Sequence, residues 1–189
     1  MLRNNKKIKL NVGCGQRKMH GFINIDARED VEPDVVANVA KIHEKYNNAD
    51  LLYACHVLEH FPLKPSTFQP ITWKQVLQSW YDTLKPGGVL RMAVPDIKAV
   101  SEYYVNTGDL SKLYAFFYGG QKYDFDFHYH CWSFDTLKRD LLEIGFKSVE
   151  RYNWKDTEHF YVDDYSQAYL PHMDKINGAL MSLNVEAVK

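Results

Sequence analysis

Carboxylates and imidazoles alternate with aromatic residues in one late segment of the chain. Every second position of this segment is acidic or a histidine: Asp124, Asp126, His128 and His130. In an extended chain all four side chains would lie on one face. Because the unperturbed pKa of histidine is about 6.5, an imidazole there could accept a proton from a hydroxyl or an amine.

The same four residues are competent metal ligands, but their spacing argues against a shared ion. Next-but-one residues of a strand lie roughly 7 Å apart, so four ligands on one straight strand cannot surround a single cation. We therefore predict no metal site. Two interpretations remain for this segment: a solvated edge strand, or a substrate-facing loop in which His128 or His130 is the general base.

A second polar group follows an apolar run at residues 51–55. Glu59 and His60 come shortly after this run, and Asp96 comes shortly after another one at residues 89–94. In open α/β sheets, ligands bind beyond the carboxyl ends of the strands, so these side chains are predicted to lie at the rim of a site. The alternative for His60 is that it caps or packs against the start of a helix.

A glycine-rich turn follows the first apolar run. Asn11, Gly13 and Gly15 lie in this turn, whose glycines permit a sharp bend and a close approach of a ligand to the backbone. A dinucleotide-binding fingerprint would have a third glycine at position 18 and an acid about 20 residues beyond the loop. Here Lys18 occupies that position and Asp26 comes too early. A carboxylate at the end of the second strand suits the two hydroxyls of a ribose instead.

Short apolar runs predict seven strands. They span residues 8–12, 22–25, 34–39, 51–55, 89–94, 146–152 and 180–188. Most are apolar on both faces, as in a parallel sheet covered by helices. Two helices are clear, at 73–84 and 135–144; the first begins at a Thr72–Gln75 capping box and is followed by a turn at 85–88. This succession predicts a doubly wound α/β sheet.

Four ordered motifs lie on these elements. They are Leu10–Gly15, Asn24–Asp26, Asp50–His60, and Leu84–Leu90 continuing to Pro95-Asp96. With the late helix ending in Gly145-Phe146, the sequence resembles class I S-adenosylmethionine-dependent methyltransferases of the small type-11-like kind over residues 8–152. The resemblance implies a Rossmann-like sheet of about seven strands, mostly parallel with the last strand antiparallel, in a single domain over residues 1–189. It also implies the cofactor, S-adenosyl-L-methionine.

The resemblance implies roles for individual positions around that cofactor. Gly13 and Gly15 are expected beneath its methionine part, and Asp26 at its ribose. Asn38 and Val39 are expected beside the adenine, where the amide oxygen of Asn38 could accept a hydrogen bond.

The methyl-donor pocket and the acceptor side complete the expected site. Cys55 and His56 are expected to line the pocket, although a small buried residue is an equal interpretation of Cys55. Asn11 and Cys14 belong to the cofactor-binding set. The catalytic candidates are His56, Glu59, His60, His128 and His130.

The connections after the first two strands are short. Gln16–Gly21 has six residues and Ala27–Pro33 has seven, whereas a parallel crossover normally needs about a dozen or more. We predict that the first two helices of the fold are shortened or missing. Without a helix N-terminus facing the methionine carboxylate, Arg17 or Lys18 is predicted to supply the positive charge. A solvated basic turn is the alternative.

The connection between the last two predicted strands is long. If the sixth strand is parallel to the sheet and the seventh antiparallel, residues 153–178 begin and end at the active-site edge. Long loops in compact domains often act as lids or binding loops. We predict a substrate-selecting cap or loop insertion, with a dimer contact through exposed aromatic side chains as the alternative.

Composition limits the classes of partner. The 189 residues carry 23 basic and 24 acidic side chains, a net charge of −1, so the basic excess of many nucleic-acid-binding proteins is missing. No apolar stretch approaches the ~20 residues needed to span a bilayer. Three scattered cysteines do not suit a disulfide framework. We expect a cytoplasmic protein with neither nucleic-acid nor membrane partners, and a homodimer remains open.

The expected reaction is methyl transfer to a polar small-molecule acceptor. The acceptor group would be a hydroxyl or an amine, for example on a sugar-like metabolite. Displacement at a sulfonium needs no acid for the leaving group, so the work is positioning, exclusion of water and deprotonation of the acceptor. The alternative is a non-catalytic S-adenosylmethionine-binding module. A nicotinamide-dependent enzyme is disfavoured by Lys18 and the early Asp26.

Overall fold

A seven-stranded sheet organises the computed structural model, which describes residues 7–189. The strands are β1 (Lys9–Val12), β2 (Ile23–Asp26), β3 (Val35–Val36), β4 (Ala49–Cys55), β5 (Leu84–Pro95), β6 (Ser148–Arg151) and β9 (Ser182–Val188), while β7 (Tyr169–Leu170) and β8 (Ala179–Leu180) form a separate hairpin. Their order in the sheet is β3-β2-β1-β4-β5-β9-β6. Strand β9 is antiparallel to both neighbours and the other pairs are parallel, which confirms the predicted sheet.

The helices are α1 (Trp73–Thr83), α2 (Ile97–Thr107), α3 (Tyr114–Tyr118) and α4 (Phe134–Ile144). Helices α1 and α4 pack on one face of the sheet, whereas Val100 of α2 packs in a separate apolar cluster with Leu170 of β7. The capping box of Thr72 and Gln75 starts α1 as predicted, and Trp80 on its buried side donates from Nε1 to the carbonyl oxygen of Val39 at 3.0 Å. Leu52 of β4 packs in the same core as α1 and α4. None of the helices within residues 7–189 is both long and apolar enough to cross a membrane.

The opposite face carries no helix from the first two crossovers. The chain between β1 and β2 makes only turns, and a single 3-10 turn, Glu29–Val31, lies between β2 and β3. The first two helices of the fold are therefore shortened or missing, as predicted. Because successive strand residues point to opposite faces, Leu51 and Tyr53 face this side.

Residues 153–178 take the place of those helices. Val162 packs with Leu51 and Tyr53 in a small apolar cluster, and the Tyr53 hydroxyl donates to Asp164 at 2.7 Å. Arg91 of β5 reaches Glu158 in the same segment at 2.6 Å. The segment is therefore part of the packed body of the fold. Its function as a substrate cap remains a prediction.

Three predicted boundaries differ from the structure. Residues 85–88, predicted as a turn, form the start of β5, where Gly87 has a φ of +76° and the register against β4 shifts as in a bulge. The third strand is only Val35–Val36 because Asn38 already caps a 3-10 helix, Val39–Glu44. The last predicted strand is interrupted, since Leu180 pairs with Tyr169 in the separate hairpin.

The prediction of an edge strand at the alternating acidic and histidine segment is wrong. Asp126 donates its backbone N–H to the carbonyl oxygen of Tyr123, which forms a turn there, and residues 124–130 belong to no strand. The exposure of the side chains is also the reverse of that expected for a solvated edge strand, in which the polar residues would face the solvent. Phe127 and Tyr129 are exposed, whereas His128 and His130 point inward and are partly buried.

Candidate functional site

The turn after β1 is held close to the end of β4. Gly13 has a φ of +66°, and a Cβ atom built on it would lie 2.5 Å from Cγ2 of Val57. Only glycine therefore fits at this contact. Gly15 also has a positive φ, +49°, but nothing lies within 4 Å of its Cβ position. The backbone at Gly15 is thus open to a ligand at the carboxyl edge of the sheet.

Asp26 at the end of β2 faces the same turn. Its Oδ2 accepts the Gly15 N–H at 2.8 Å and its Oδ1 accepts the Arg28 N–H at 3.0 Å. Each carboxylate oxygen has a second lone-pair direction, so the fixed carboxylate can still accept two hydroxyl groups. The side chain is 8% exposed, which limits competition from water.

His56 marks the exit of β4 with a strained backbone. Its φ is +53°, a left-handed conformation that is uncommon for a residue other than glycine. Its Nε2 lies 2.8 Å from Oγ of Ser182 in β9, and its Nδ1 lies 3.1 Å from Oε1 of Glu59. The turn thus directs the imidazole between the first residue of β9 and a buried carboxylate.

Glu59 is fully buried beside three histidines. Burial opposes its ionisation, yet the charges of His56, His60 and His128 bring the pKa of its carboxyl below the ordinary value. Within residues 7–189, neither carboxylate oxygen has a well-aligned hydrogen-bond donor. Since an ionised carboxylate is costly to bury unpaired, this side chain requires a cationic neighbour.

His60 and His128 complete the group, which we name the Glu59 cluster: His56, Glu59, His60 and His128. The rings of His60 and His128 lie 4.8 Å apart, and His128 Nε2 is 4.0 Å from Glu59 Oε1. Burial lowers the pKa of His128, with the Glu59 charge opposing it. The sequence predicted these four residues as catalytic candidates, and the fold brings them together.

Solved structures of low sequence identity share this fold. S-adenosylmethionine-dependent methyltransferases from Archaeoglobus fulgidus and Mesorhizobium loti match with TM-scores of 0.55 and 0.52, are 15% and 14% identical, and align over 98% and 96% of this chain and 87% and 90% of theirs. A third, from Thermotoga maritima, has a TM-score of 0.57 and 12% identity over 96% of this chain and 82% of its own. No protein-family profile and no curated protein matches the sequence.

The chain has the class I S-adenosylmethionine-dependent methyltransferase fold. Within this methyltransferase fold, the Gly13–Gly15 turn, Asp26 and the Glu59 cluster all lie at the carboxyl edge of the parallel strands. Ligands of open α/β sheets bind at that edge. The edge is therefore the candidate site.

Two residues that support the cofactor turn, Asn24 and Asp34, were not among the predicted site residues. Asn11 Nδ2 donates to Oδ1 of Asn24 at 3.0 Å, and the same oxygen accepts the Met19 N–H at 2.7 Å. Asn24 in turn donates from its backbone and side chain to Asp34, and these hydrogen bonds lower the pKa of the Asp34 carboxyl. A polar residue inside an otherwise apolar strand was the available signal. This chain of amides holds the turn where a helix is missing.

The other predicted cofactor residues differ in exposure and in hydrogen bonding. Asn38 is exposed, and its amide oxygen accepts the Ala40 N–H at 2.9 Å, which leaves a second lone-pair direction and the N–H₂ group open. Val39 is buried in the core. Arg17 and Lys18 are exposed, and among the described residues neither forms an ion pair. Their role toward the cofactor carboxylate remains a prediction.

The remaining candidates lie beside or outside the cluster. Burial raises the pKa of the Cys55 thiol well above its ordinary value and raises that of Cys14 to about 11, so both thiols stay neutral. His130 stacks on Trp73, with ring centroids 5.5 Å apart, and also contacts Trp132. Its ring therefore belongs to the aromatic packing around α1, away from the Glu59 cluster.

Proposed function

We propose that the protein transfers a methyl group from S-adenosyl-L-methionine to a hydroxyl or amine of a polar small molecule. The observation that carries the proposal is the adjacency of two sites. Val57, which touches the Gly13 turn, stands between His56 and Glu59 in the chain. A cofactor bound on the turn would thus have its reacting end directed toward the Glu59 cluster.

The cofactor would be held mainly by the backbone of the turn and by Asp26. The open backbone at Gly15 would lie beneath the methionine part, and Asp26 would accept the ribose hydroxyls. Arg17 or Lys18 would pair with the methionine carboxylate, since no helix follows β1. The N–H₂ group of Asn38 and the second lone-pair direction of its amide oxygen would contact adenine.

The acceptor would lie against the Glu59 cluster and the 153–178 segment. The Tyr165 ring is 69% exposed and its centroid lies 5.4 Å from that of His56, so it could contact an acceptor there. The imidazoles of His60 and His128 could accept a proton from a hydroxyl or an ammonium group. A polar acceptor suits this wall better than an apolar one.

Calorimetric titration tests the cofactor site first. Wild-type protein is expected to bind S-adenosylmethionine and S-adenosylhomocysteine, and Asp26→Ala is expected to weaken both about 10- to 100-fold, because hydrogen bonds to a charged group contribute about 1.5–3 kcal/mol. Asp30→Ala is the matched control, since Asp30 is an exposed acid near the same turn. Absence of binding by folded wild-type protein would contradict the proposal.

An acceptor screen then tests catalysis. Formation of S-adenosylhomocysteine is measured with sugars, polyols and primary amines in separate reactions. Turnover with at least one polar acceptor, reduced by His60→Ala and unchanged by His20→Ala at an exposed histidine, supports methyl transfer. Cofactor binding without turnover on any acceptor would favour the non-catalytic binding module instead.

A further inference from the structure

The Glu59 cluster contains three groups placed to hold one cation. A carboxylate oxygen of Glu59 and ring nitrogens of His60 and His128 all lie within 4.8 Å of one another. Glu59 and His60 follow β4, whereas His128 comes from the segment before α4. The ligands therefore converge from two directions, which the four alternating residues on one strand could not do.

The hydrogen bonds of His60 and His128 engage Nδ1 of each ring and leave Nε2 available as a metal ligand. His60 Nδ1 lies 3.0 Å from the carbonyl oxygen of Phe127, and His128 Nδ1 lies 2.9 Å from that of Phe116. A carbonyl only accepts, so each Nδ1 carries a hydrogen, and in the neutral form of the ring each Nε2 presents a lone pair. Metal-ligating histidines show the same arrangement, in which a backbone carbonyl fixes the tautomer and the ring orientation.

Glu59 provides an independent observation. Its carboxylate is fully buried, and within the described residues both oxygens lack an aligned donor. His56 Nδ1 lies 3.1 Å from Oε1, the same oxygen that lies 4.0 Å from His128 Nε2. A buried carboxylate with spare lone pairs beside two imidazoles has the donor set of a cation site.

We propose that Glu59, His60 and His128 bind one divalent first-row transition metal ion, such as Zn²⁺. Two imidazoles and one carboxylate favour Zn²⁺, Co²⁺ or Fe²⁺ over Mg²⁺ and Ca²⁺, which prefer oxygen ligands. Ligand atoms around tetrahedral zinc are about 3.4 Å apart, given bonds of roughly 2.0–2.2 Å. The 4.0 Å separation of His128 Nε2 and Glu59 Oε1 therefore closes by a small movement on binding.

Three protein ligands leave a coordination position open, as in catalytic rather than structural zinc sites. On the basis of the proposed methyl transfer, that position would take the acceptor oxygen. A bound hydroxyl ionises more readily and releases its proton to water, leaving a metal-held alkoxide facing the methyl group. In that state His60 and His128 act as ligands, and the metal assumes the task of activating the acceptor.

The test uses the full-length protein after removal of metals with a chelator. Zn²⁺ binding is measured by competition with a chromogenic chelator, and Co²⁺ binding by its visible d–d absorption. We expect one equivalent of Zn²⁺ per chain, and an affinity reduced about 100-fold or more in His60→Ala and in His128→Ala, since even partners of ligating residues contribute 10–100-fold. His20→Ala and His172→Ala, at exposed histidines, are the matched controls and should bind as wild type does.

The outcomes separate this inference from the proposed function. The metal site would be overturned if the wild-type protein binds Zn²⁺ no more tightly than the His60→Ala variant does. An unchanged Zn²⁺ affinity in both His60→Ala and His128→Ala would overturn it as well. Near-ultraviolet circular dichroism checks that the variants fold, and His60 is only partly buried, so its truncation should be tolerated. The metal assay needs neither cofactor nor acceptor. Loss of cofactor binding with intact Zn²⁺ binding would instead contradict the methyltransferase proposal alone.

Discussion

Two residues at the carboxyl edge of the sheet, Gly13 after β1 and His56 after β4, adopt left-handed backbone conformations for different reasons. Gly13 does so where no side chain fits against Val57. His56 does so although it has a side chain, with a φ of +53°, and its ring is fixed between Ser182 and Glu59. Such strain costs of order 1–3 kcal/mol and persists where the surrounding structure enforces it. The strained backbone therefore indicates that the surrounding structure fixes the position of the His56 side chain.

Gly13→Ala is expected to reduce the free energy of unfolding by about 2–5 kcal/mol. The added methyl meets Val57 Cγ2 at 2.5 Å and the φ is +66°, so overpacking of about 1–3 kcal/mol adds to left-handed strain of about 1–2 kcal/mol. Gly21→Ala is the control, because its φ of +82° brings strain but nothing lies within 4 Å. Urea denaturation measures both, and equal losses would contradict the contact with Val57.

At the scale of elements, the 153–178 segment binds the sheet through polar as well as apolar contacts. His159 accepts from Arg91 Nη1 at Nδ1, 3.3 Å away, because a guanidinium only donates. Its ring packs on Tyr53 with centroids 4.3 Å apart. The Tyr53 hydroxyl donates to Asp164, which also caps the 3-10 helix Tyr165–Gln167. These contacts make the segment a structural part of the sheet face.

Tyr53→Phe is expected to destabilise this attachment by about 1–3 kcal/mol, because Oδ2 of the part-buried Asp164 carboxylate loses its hydroxyl donor, while Oδ1 keeps the donors of Ser166. Proteolysis under native conditions should then cut within residues 153–178 faster than in wild type. Tyr161→Phe is the matched control, since Tyr161 is 56% exposed. Equal cleavage rates in the two variants would argue that the hydrogen bond does not hold the segment.

The stability of the segment should depend on pH. Burial, reinforced by the Arg91 charge, lowers the pKa of His159 to about 4, whereas an unfolded histidine titrates near 6.5. The unfolded chain then binds more protons between pH about 4 and 6.5, so the free energy of unfolding falls as the pH falls through that range. His159→Gln should flatten this dependence and His20→Gln should not. Identical pH profiles for wild type and His159→Gln would contradict the assignment.

For the whole molecule, cofactor binding should appear as thermal stabilisation. A ligand at 100 times its Kd contributes about 2.7 kcal/mol, which for a chain of this size corresponds to a rise in Tm of roughly 5–10 °C. S-adenosylhomocysteine is expected to produce this shift in wild type and in Asp30→Ala, and about half of it or less in Asp26→Ala at the same concentration. Differential scanning fluorimetry gives the measurement, and equal shifts in all three would place the ribose contact elsewhere.

The sheet and part of the site could be predicted from the sequence because their signals are local. Apolar runs gave β1, β4 and the mostly parallel order, whereas helix α2 was missed because Val100 is its sole fully buried residue. The meeting of Glu59 with His128 has no local signal, since the two lie far apart in the chain and are joined only by folding. The covering of Tyr53 by the 153–178 segment is equally non-local.

The late position of that segment has a consequence for chain synthesis. Tyr53 and Asp164 are 111 residues apart, and Lys9 and Glu158 are 149 apart. The ribosome therefore releases β1 and β4 long before the residues that cover one side of them. Until then the Leu51–Tyr53 surface stays open to other chains, and sequence separation of this kind slows folding. Nascent chains stalled before residue 158 should thus need protection by chaperones that complete chains do not.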